Sequence, residues 1–220
     1  MKNTNYLENL EPGEMYHIYN RGINRTDIFY RPENYPYFLS KFALYLSNLV
    51  DTFAYCLLGN HFHLLVRIKE NDNKIENLTD LEDPSGLITK KEGMGLHHPD
   101  KLVSKKFSDF FNSYTKSINK MIGRTGGLFE TPFKRIKIDN AAYFSQVMVY
   151  IHFNPQKHGF VDDFRDYKHS SYHSHLSLKS SKLMRTEVLN WFGNAKEYID
   201  FHEAAANDST QLNNYVIEID

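Results

Sequence analysis

The alternation of apolar and polar residues along the chain predicts four strands. Residues 15–20 alternate bulky and polar side chains, with the aromatic and β-branched enrichment typical of a strand. Two apolar runs, 53–58 and His61–Ile68, flank Gly59-Asn60, a two-residue connection suited to a tight hairpin. Residues 133–138 alternate in the same way. The hairpin is expected to form the middle of the sheet.

Apolar residues at helical spacing predict three helices between and after these strands. The first follows Pro32 and the second spans 102–121 and ends before Gly123. The third begins after Asn140, a suitable N-cap residue. The predicted order is β-α-β-β-α-β-α, an α+β fold with an antiparallel sheet and a ferredoxin-like or RRM-like plan that ends in an added helix.

The remaining segments divide the chain into a domain at 1–178 and an extension at 179–220. Residues 70–100 contain eight acidic and three basic side chains with several glycines, and we expect an inserted loop there. Residues 162–166 and 169–181 are predicted to form an extended arm. The extension is predicted to contain one or two helices within 186–206 and an unordered tail.

Composition excludes several classes of protein. Cys56 is the only cysteine, which rules out intrachain disulfides and cysteine-rich zinc sites and fits a reducing compartment. No apolar run approaches the ~20 residues of a membrane span, so a soluble cytoplasmic protein is expected. Net charge is −1, but residues 105–139 carry eight basic and three acidic side chains. A local basic surface of this kind binds phosphates even in a neutral protein.

Two histidines follow the predicted hairpin turn. His61 and His63 are two residues apart on a strand, so their imidazoles project from one face while Phe62 projects from the other. Two neutral imidazoles at this spacing can share one divalent metal, which then needs a third ligand. The alternative is a pair of histidines that are satisfied by other contacts or exposed to solvent.

The third helix carries groups that complement such a pair. Tyr150 and Asn154 are four residues apart and share a helical face, and Pro155 limits how far the helix continues. Facing two histidines on the sheet, they would place a phenol nucleophile beside a metal-bound phosphate. The alternative is that Tyr150 has only a packing role, since tyrosine on an amphipathic helix is usually half-buried.

Several sequence motifs resemble one enzyme superfamily. GNHFHLLV is similar to the metal motif of HUH single-tyrosine transposases, and YIHFNPQKHGFV to the segment that carries their nucleophile. YHIYNRGINR, GRTGGLFETPFKR and FRDYKHSSYHSHL also resemble this superfamily, and in particular the REP-associated tyrosine transposases. The resemblance extends from about residue 15 to 176 and excludes the last 44 residues.

The resemblance implies a role for each matching residue. His61 and His63, on a central strand, would bind Mg²⁺ or Mn²⁺, and Tyr150 on the last helix of the domain would attack DNA to give a 5′-phosphotyrosine. Asn154 stands where many relatives carry a glutamine as third ligand, while His152 and His158 remain alternatives. No nucleotide cofactor is implied. The expected partner is single-stranded or hairpin DNA, bound by a monomer or homodimer through Arg21, Arg25, Arg124, Lys134, Arg135, Lys157 and His158.

Two other functions are compatible with the sequence. An RRM-like module would bind nucleic acid by stacking bases on Tyr16, Tyr19 and Phe53 without cutting it. A domesticated relative would bind hairpin DNA without mobilising it. The RRM-like function requires neither a metal nor a particular tyrosine, and this separates it from the transposase hypothesis.

Overall fold

The structure, a computed structural model, describes residues 7–70 and 99–207. The acidic insert predicted at 70–100 and the predicted tail lie outside these residues, apart from the ends of the insert. Within the described part, no helix has both the length and the apolar character required to cross a bilayer.

The strands form one four-stranded antiparallel sheet, which with its helices confirms the predicted α+β class. The strands are β1 (Met15–Arg21), β2 (Val50–Leu58), β3 (His61–Ile68) and β4 (Lys134–Ile138). Their order in the sheet is β2-β3-β1-β4, so β1 and β3 occupy the centre. In the register of this central pair, Tyr19 lies opposite His63 and Arg21 opposite His61. The prediction that the hairpin forms the middle of the sheet is therefore wrong for β2, which is an edge strand.

Helices cover both faces of the sheet. On one face, Phe62 and Leu64 of β3 pack in a core with α1 (Asn34–Leu46) and α2 (Pro99–Ile122). On the other face, Leu65 of β3 packs with α3 (Ala141–Lys157). All three helices lie where the sequence predicts them, and Asn140 caps α3 by accepting the amide N–H of Tyr143.

The base-stacking surface expected for an RRM-like module is absent from the described fold. Tyr16 and Tyr19 are 0% exposed and Phe53 is 1% exposed. The rings of Tyr16 and Phe53 lie in the two cores, and the ring of Tyr19 is buried against His17 and His63. Both faces of the sheet are covered, whereas an RRM leaves one face open for bases. The prediction of stacking on these rings is therefore wrong.

The segment after α3 is folded, so the prediction of an extended arm is wrong. Residues 164–166 form a 3₁₀ turn, and α4 (Tyr172–Leu176) is a short helix. Tyr172 and His175 are three residues apart on one helical face, and both are buried. Burial of these two side chains stabilises the helix although the sequence around them is polar. The predicted C-terminal helices are present as α5 (Arg185–Phe192) and α6 (Ala195–Asn207), which pack in the α3 core.

Candidate active site

The odd-numbered residues of β3 face α3, and this places both predicted histidines beneath that helix. His61 is 6% exposed and His63 is 0% exposed, and their ring centroids are 5.3 Å apart. Phe62 points into the opposite core with α1 and α2. The strand geometry assumed from the sequence therefore holds at this position.

Helix α3 brings Tyr150 and Asn154 over these histidines within the same chain. The ring centroid of Tyr150 is 5.5 Å from that of His63, in an edge-to-face arrangement. Asn154 is fully buried, and its Oδ1 lies 3.5 Å from Nε2 of His61. The structure thus groups two imidazoles, a carboxamide and a phenol in one buried site.

The second nitrogen of each imidazole is held by a neighbouring side chain. Asn60 donates its amide N–H to the carbonyl of Arg25, so its Oδ1 faces His61 and accepts the Nδ1–H at 2.6 Å. Nδ1 of His63 is 2.9 Å from Nε2 of His17 on β1. Both Nε2 atoms are consequently available to the site.

The polar atoms that face the site fit a cation. Nε2 of His63 is buried and has no hydrogen-bond partner among the described residues. Nε2 of His61, whose proton is on Nδ1, faces the carbonyl oxygen of Asn154, so two acceptors oppose each other. Burial, followed by nearby His17, His61, His158 and Lys157, lowers the pKa of His63 well below its ordinary value, so His63 is in the neutral form that binds metals.

The alternative third ligands are less well placed than Asn154. In residues 7–70 and 99–207, no three His, Cys, Asp or Glu side chains are grouped as metal ligands. His158 is exposed, with its ring centroid 5.1 Å from that of His61. His152 is 0% exposed and points away from the site into the C-terminal helices.

His152 belongs to a buried chain of hydrogen bonds that joins α3 to α6. The hydroxyl of Ser171 accepts the backbone N–H of Tyr55 and donates to Nε2 of His152 at 2.7 Å, because the proton of His152 is on Nδ1. Nδ1–H of His152 donates to Nε2 of His202 at 2.9 Å, and Nδ1–H of His202 donates to the carbonyl of Tyr198. Both imidazoles of this hydrogen-bond network, His152 and His202, are neutral and have a defined proton position.

Acid is expected to destabilise the fold through the histidines of this C-terminal core. Burial lowers the pKa of His202 to about 3 and that of His175 to about 4. As pH falls below about 6.5 the unfolded chain binds these protons and the folded chain does not. The free energy of unfolding should therefore fall by about 1.4 kcal/mol per pH unit for each group until the folded pKa is reached.

Urea unfolding between about pH 6.5 and about pH 4.5 measures this loss. His202→Gln should make the dependence on pH shallower by about 1.4 kcal/mol per pH unit. Val188→Ala is the control for lost packing, since Val188 is buried in the same core without a titratable group and should leave the slope unchanged. Equal slopes for wild type and His202→Gln would contradict the prediction.

Four of the residues predicted to bind DNA lie around the site. Lys157 and His158 are exposed at the end of α3, and the Lys157 ammonium lies 5.4 Å from the ring centroid of Tyr150. Lys134 lies 5.9 Å above the ring of Tyr19. Arg21 is opposite His61 in the sheet, with its Nε 2.8 Å from the carboxylate of Glu130.

The other three predicted residues make contacts within the protein. Arg135 donates to the carbonyl of Glu8, and Arg124 donates to the carbonyl of Gly127 at 2.6 Å. Arg25 is exposed in the turn beside Asn60. Arg135 and Arg124 thus have structural contacts in addition to any contact with DNA.

His17 and Asn60 are site residues that the sequence reasoning did not identify. His17 is two residues before Tyr19, so strand parity places it on the same face of β1. Strand parity alone predicts that His17 and Tyr19 share a face. It does not predict the contact of His17 with His63, because that contact depends on the pairing of β1 with β3. Asn60 was assigned only to the hairpin turn.

Comparisons with known proteins agree with the resemblance seen in the motifs. The chain is 24% identical over 123 residues to a Haemophilus influenzae protein named "Putative REP-associated tyrosine transposase". The matched segment covers 56% of this chain and 59% of that relative, so the chain spans under two thirds of its length. No family model matches the chain.

A solved structure has the same fold. It is that of a REP-associated tyrosine transposase bound to a REP hairpin, with a TM-score of 0.56 and 15% sequence identity. The likeness covers 79% of this chain and 85% of that chain. Together the two comparisons confirm the resemblance to REP-associated tyrosine transposases.

Proposed function

We propose that the chain is a single-tyrosine HUH transposase of the REP-associated type, with a ferredoxin-like arrangement of its sheet. It would cleave and rejoin single-stranded DNA beside hairpins. The observation that carries this proposal is the grouping of Tyr150, His61, His63 and Asn154 in one buried site. The two relatives support the same class of activity.

The proposed reaction is transesterification, with the Tyr150 hydroxyl as the nucleophile. The phenolic oxygen of Tyr150 attacks the phosphorus, a tyrosine–phosphate bond forms, and the bond from phosphorus to the 3′ oxygen breaks. The proton lost by the phenol is balanced by the one that the 3′ oxygen gains. Because one phosphodiester replaces another, the strand can be rejoined without ATP.

His61, His63 and Asn154 would hold a divalent cation, Mg²⁺ or Mn²⁺. Such an ion, when bound, polarises the scissile phosphate as a Lewis acid. The chain would supply two Nε2 lone pairs and one amide oxygen, with the two imidazoles oriented by Asn60 and His17. Burial of these groups excludes bulk water from the nucleophile.

Lys157, His158, Lys134 and Arg21 would contact the phosphates of single-stranded or hairpin DNA. They lie around the site within one chain, and the protein would act as a monomer or homodimer. Lys157 and His158 form the exposed rim nearest Tyr150 and His61. A protein of this kind would act in the cytoplasm.

Incubation with a labelled hairpin oligonucleotide tests the proposed function. With Mg²⁺ or Mn²⁺ present, a band resistant to denaturation should carry the DNA 3′ of the cut, and the other product should end in a free 3′-OH. Chelation of the metal should prevent both. Tight hairpin binding without cleavage, across a panel of hairpins and both metals, would instead favour a domesticated DNA-binding relative.

DNA affinity is expected to fall with salt and to depend on Lys157. Counterion release makes the logarithm of the binding constant fall linearly with the logarithm of salt concentration. Lys157→Gln should weaken binding for all sequences and reduce that slope by about one. Fluorescence anisotropy across a salt series measures the slope.

Lys196→Gln is the matched control for this charge. Lys196 is an exposed lysine on α6 that pairs with Asp200. Its removal should leave the slope unchanged. Equal slopes for wild type and Lys157→Gln would place Lys157 outside the DNA interface.

A further inference from the structure

His17 is a buried imidazole that the proposed reaction does not yet use. It lies on the central strand β1, is 0% exposed, and stacks on His63 with ring centroids 5.1 Å apart. Its Nε2 is 2.9 Å from Nδ1 of His63, and its ring centroid is 6.0 Å from that of Tyr150. It therefore contacts a proposed ligand at Nδ1, the ring nitrogen that is not assigned to the cation.

The protons of this pair can be assigned. The two ring nitrogens that meet are Nδ1 of His63 and Nε2 of His17, so one of them donates and the other accepts. If His63 offers its Nε2 lone pair to a cation, its own proton is on Nδ1. That N–H must then donate to Nε2 of His17, the acceptor at hydrogen-bond distance.

We propose that His17 is a positioning residue that fixes the tautomer and ring orientation of His63, so that Nε2 of His63 faces the cation. This inference rests on the proposed function. Hydrogen-bond partners of ligand histidines commonly act in this way. His17 has the role for His63 that Asn60 has for His61.

Packing alone does not account for a histidine at this position. The residues directly opposite His17 in the sheet are Leu65 and Ile136, both apolar and buried. Nδ1 of His17 has no partner among the described residues, so burial of this ring has an uncompensated polar cost. An apolar side chain would avoid that cost and would lose only the bond to His63.

Mn²⁺ affinity of the full chain, measured by calorimetry, tests the inference. His17→Leu removes the acceptor and should weaken binding by about 10-fold or more. His17→Gln places an amide oxygen near the position of Nε2 and should restore affinity to within about threefold of wild type. His17→Asn is the matched control, because its shorter amide cannot reach Nδ1 of His63.

Each result has a distinct meaning, with thermal unfolding used to show that the variants are folded. Failure of the wild type to bind Mn²⁺, or full binding by His63→Ala, would overturn the proposed function and with it this inference. Wild-type affinity in His17→Leu would overturn the inference alone. If His17→Leu does not fold, equal affinities of the Gln and Asn variants overturn it. Loss of all binding in His17→Gln would make His17 a ligand and also overturn it.

Discussion

Tyr150→Phe is expected to abolish the covalent protein–DNA complex while leaving hairpin affinity nearly unchanged. The substitution removes only the phenolic oxygen, and the aromatic ring keeps its packing in the core. Loss of a nucleophile should reduce the rate of cleavage by at least about a thousandfold. Denaturing gels report the covalent complex, and anisotropy reports binding.

Tyr143→Phe is the control for this experiment. Tyr143 is on the same helix but near its N-terminus, and it is partly exposed. Its loss should leave the covalent complex intact. Tyr114 is excluded as a nucleophile because it packs in the core on the opposite face of the sheet, where its hydroxyl donates to the carbonyl of Ile28. A covalent complex that persists in Tyr150→Phe would assign the nucleophile to another tyrosine.

His61→Ala is expected to reduce metal-dependent cleavage by at least about a hundredfold, with hairpin binding largely retained. The change removes the Nε2 lone pair that faces Asn154 across 3.5 Å. His61 is at the rim of the site, 6% exposed, so its truncation should disturb the fold less than that of the fully buried His63. Cleavage rates across a Mn²⁺ titration measure the effect.

The His158→Ala variant separates the loss of a ligand from the loss of a nearby imidazole. The ring of His158 is 5.1 Å from that of His61 but exposed at the end of α3. The His158→Ala variant should bind DNA slightly more weakly, and the Mn²⁺ dependence of its cleavage should be unchanged. Equal losses in the two variants would make His158 the third ligand in place of Asn154.

Local patterns in the sequence predicted the four strands, the three main helices and the residues that group in the site, but not the order of the strands in the sheet. Period-two alternation located β3 and predicted that His61 and His63 share a face. The i,i+4 spacing put Tyr150 and Asn154 together on α3. Both rules depend only on residues close in sequence.

Features that depend on pairing between distant segments were not predicted. The bond from His17 to His63 requires the register of β1 on β3, and the pairing of Arg21 with Glu130 joins residues 109 apart. Helix α4 was missed because its serine- and histidine-rich sequence resembles a loop. Its stability comes from burial of Tyr172 and His175, which local propensity does not report.

Mass spectrometry of the protein–DNA complex tests the central claim most directly. After nuclease and trypsin digestion, the residual nucleotide should be on the peptide spanning residues 138–157, which contains both Tyr143 and Tyr150. Fragmentation of that peptide should place the phosphodiester on Tyr150. A nucleotide on Tyr143, or on any peptide other than this one, would contradict the proposed active site.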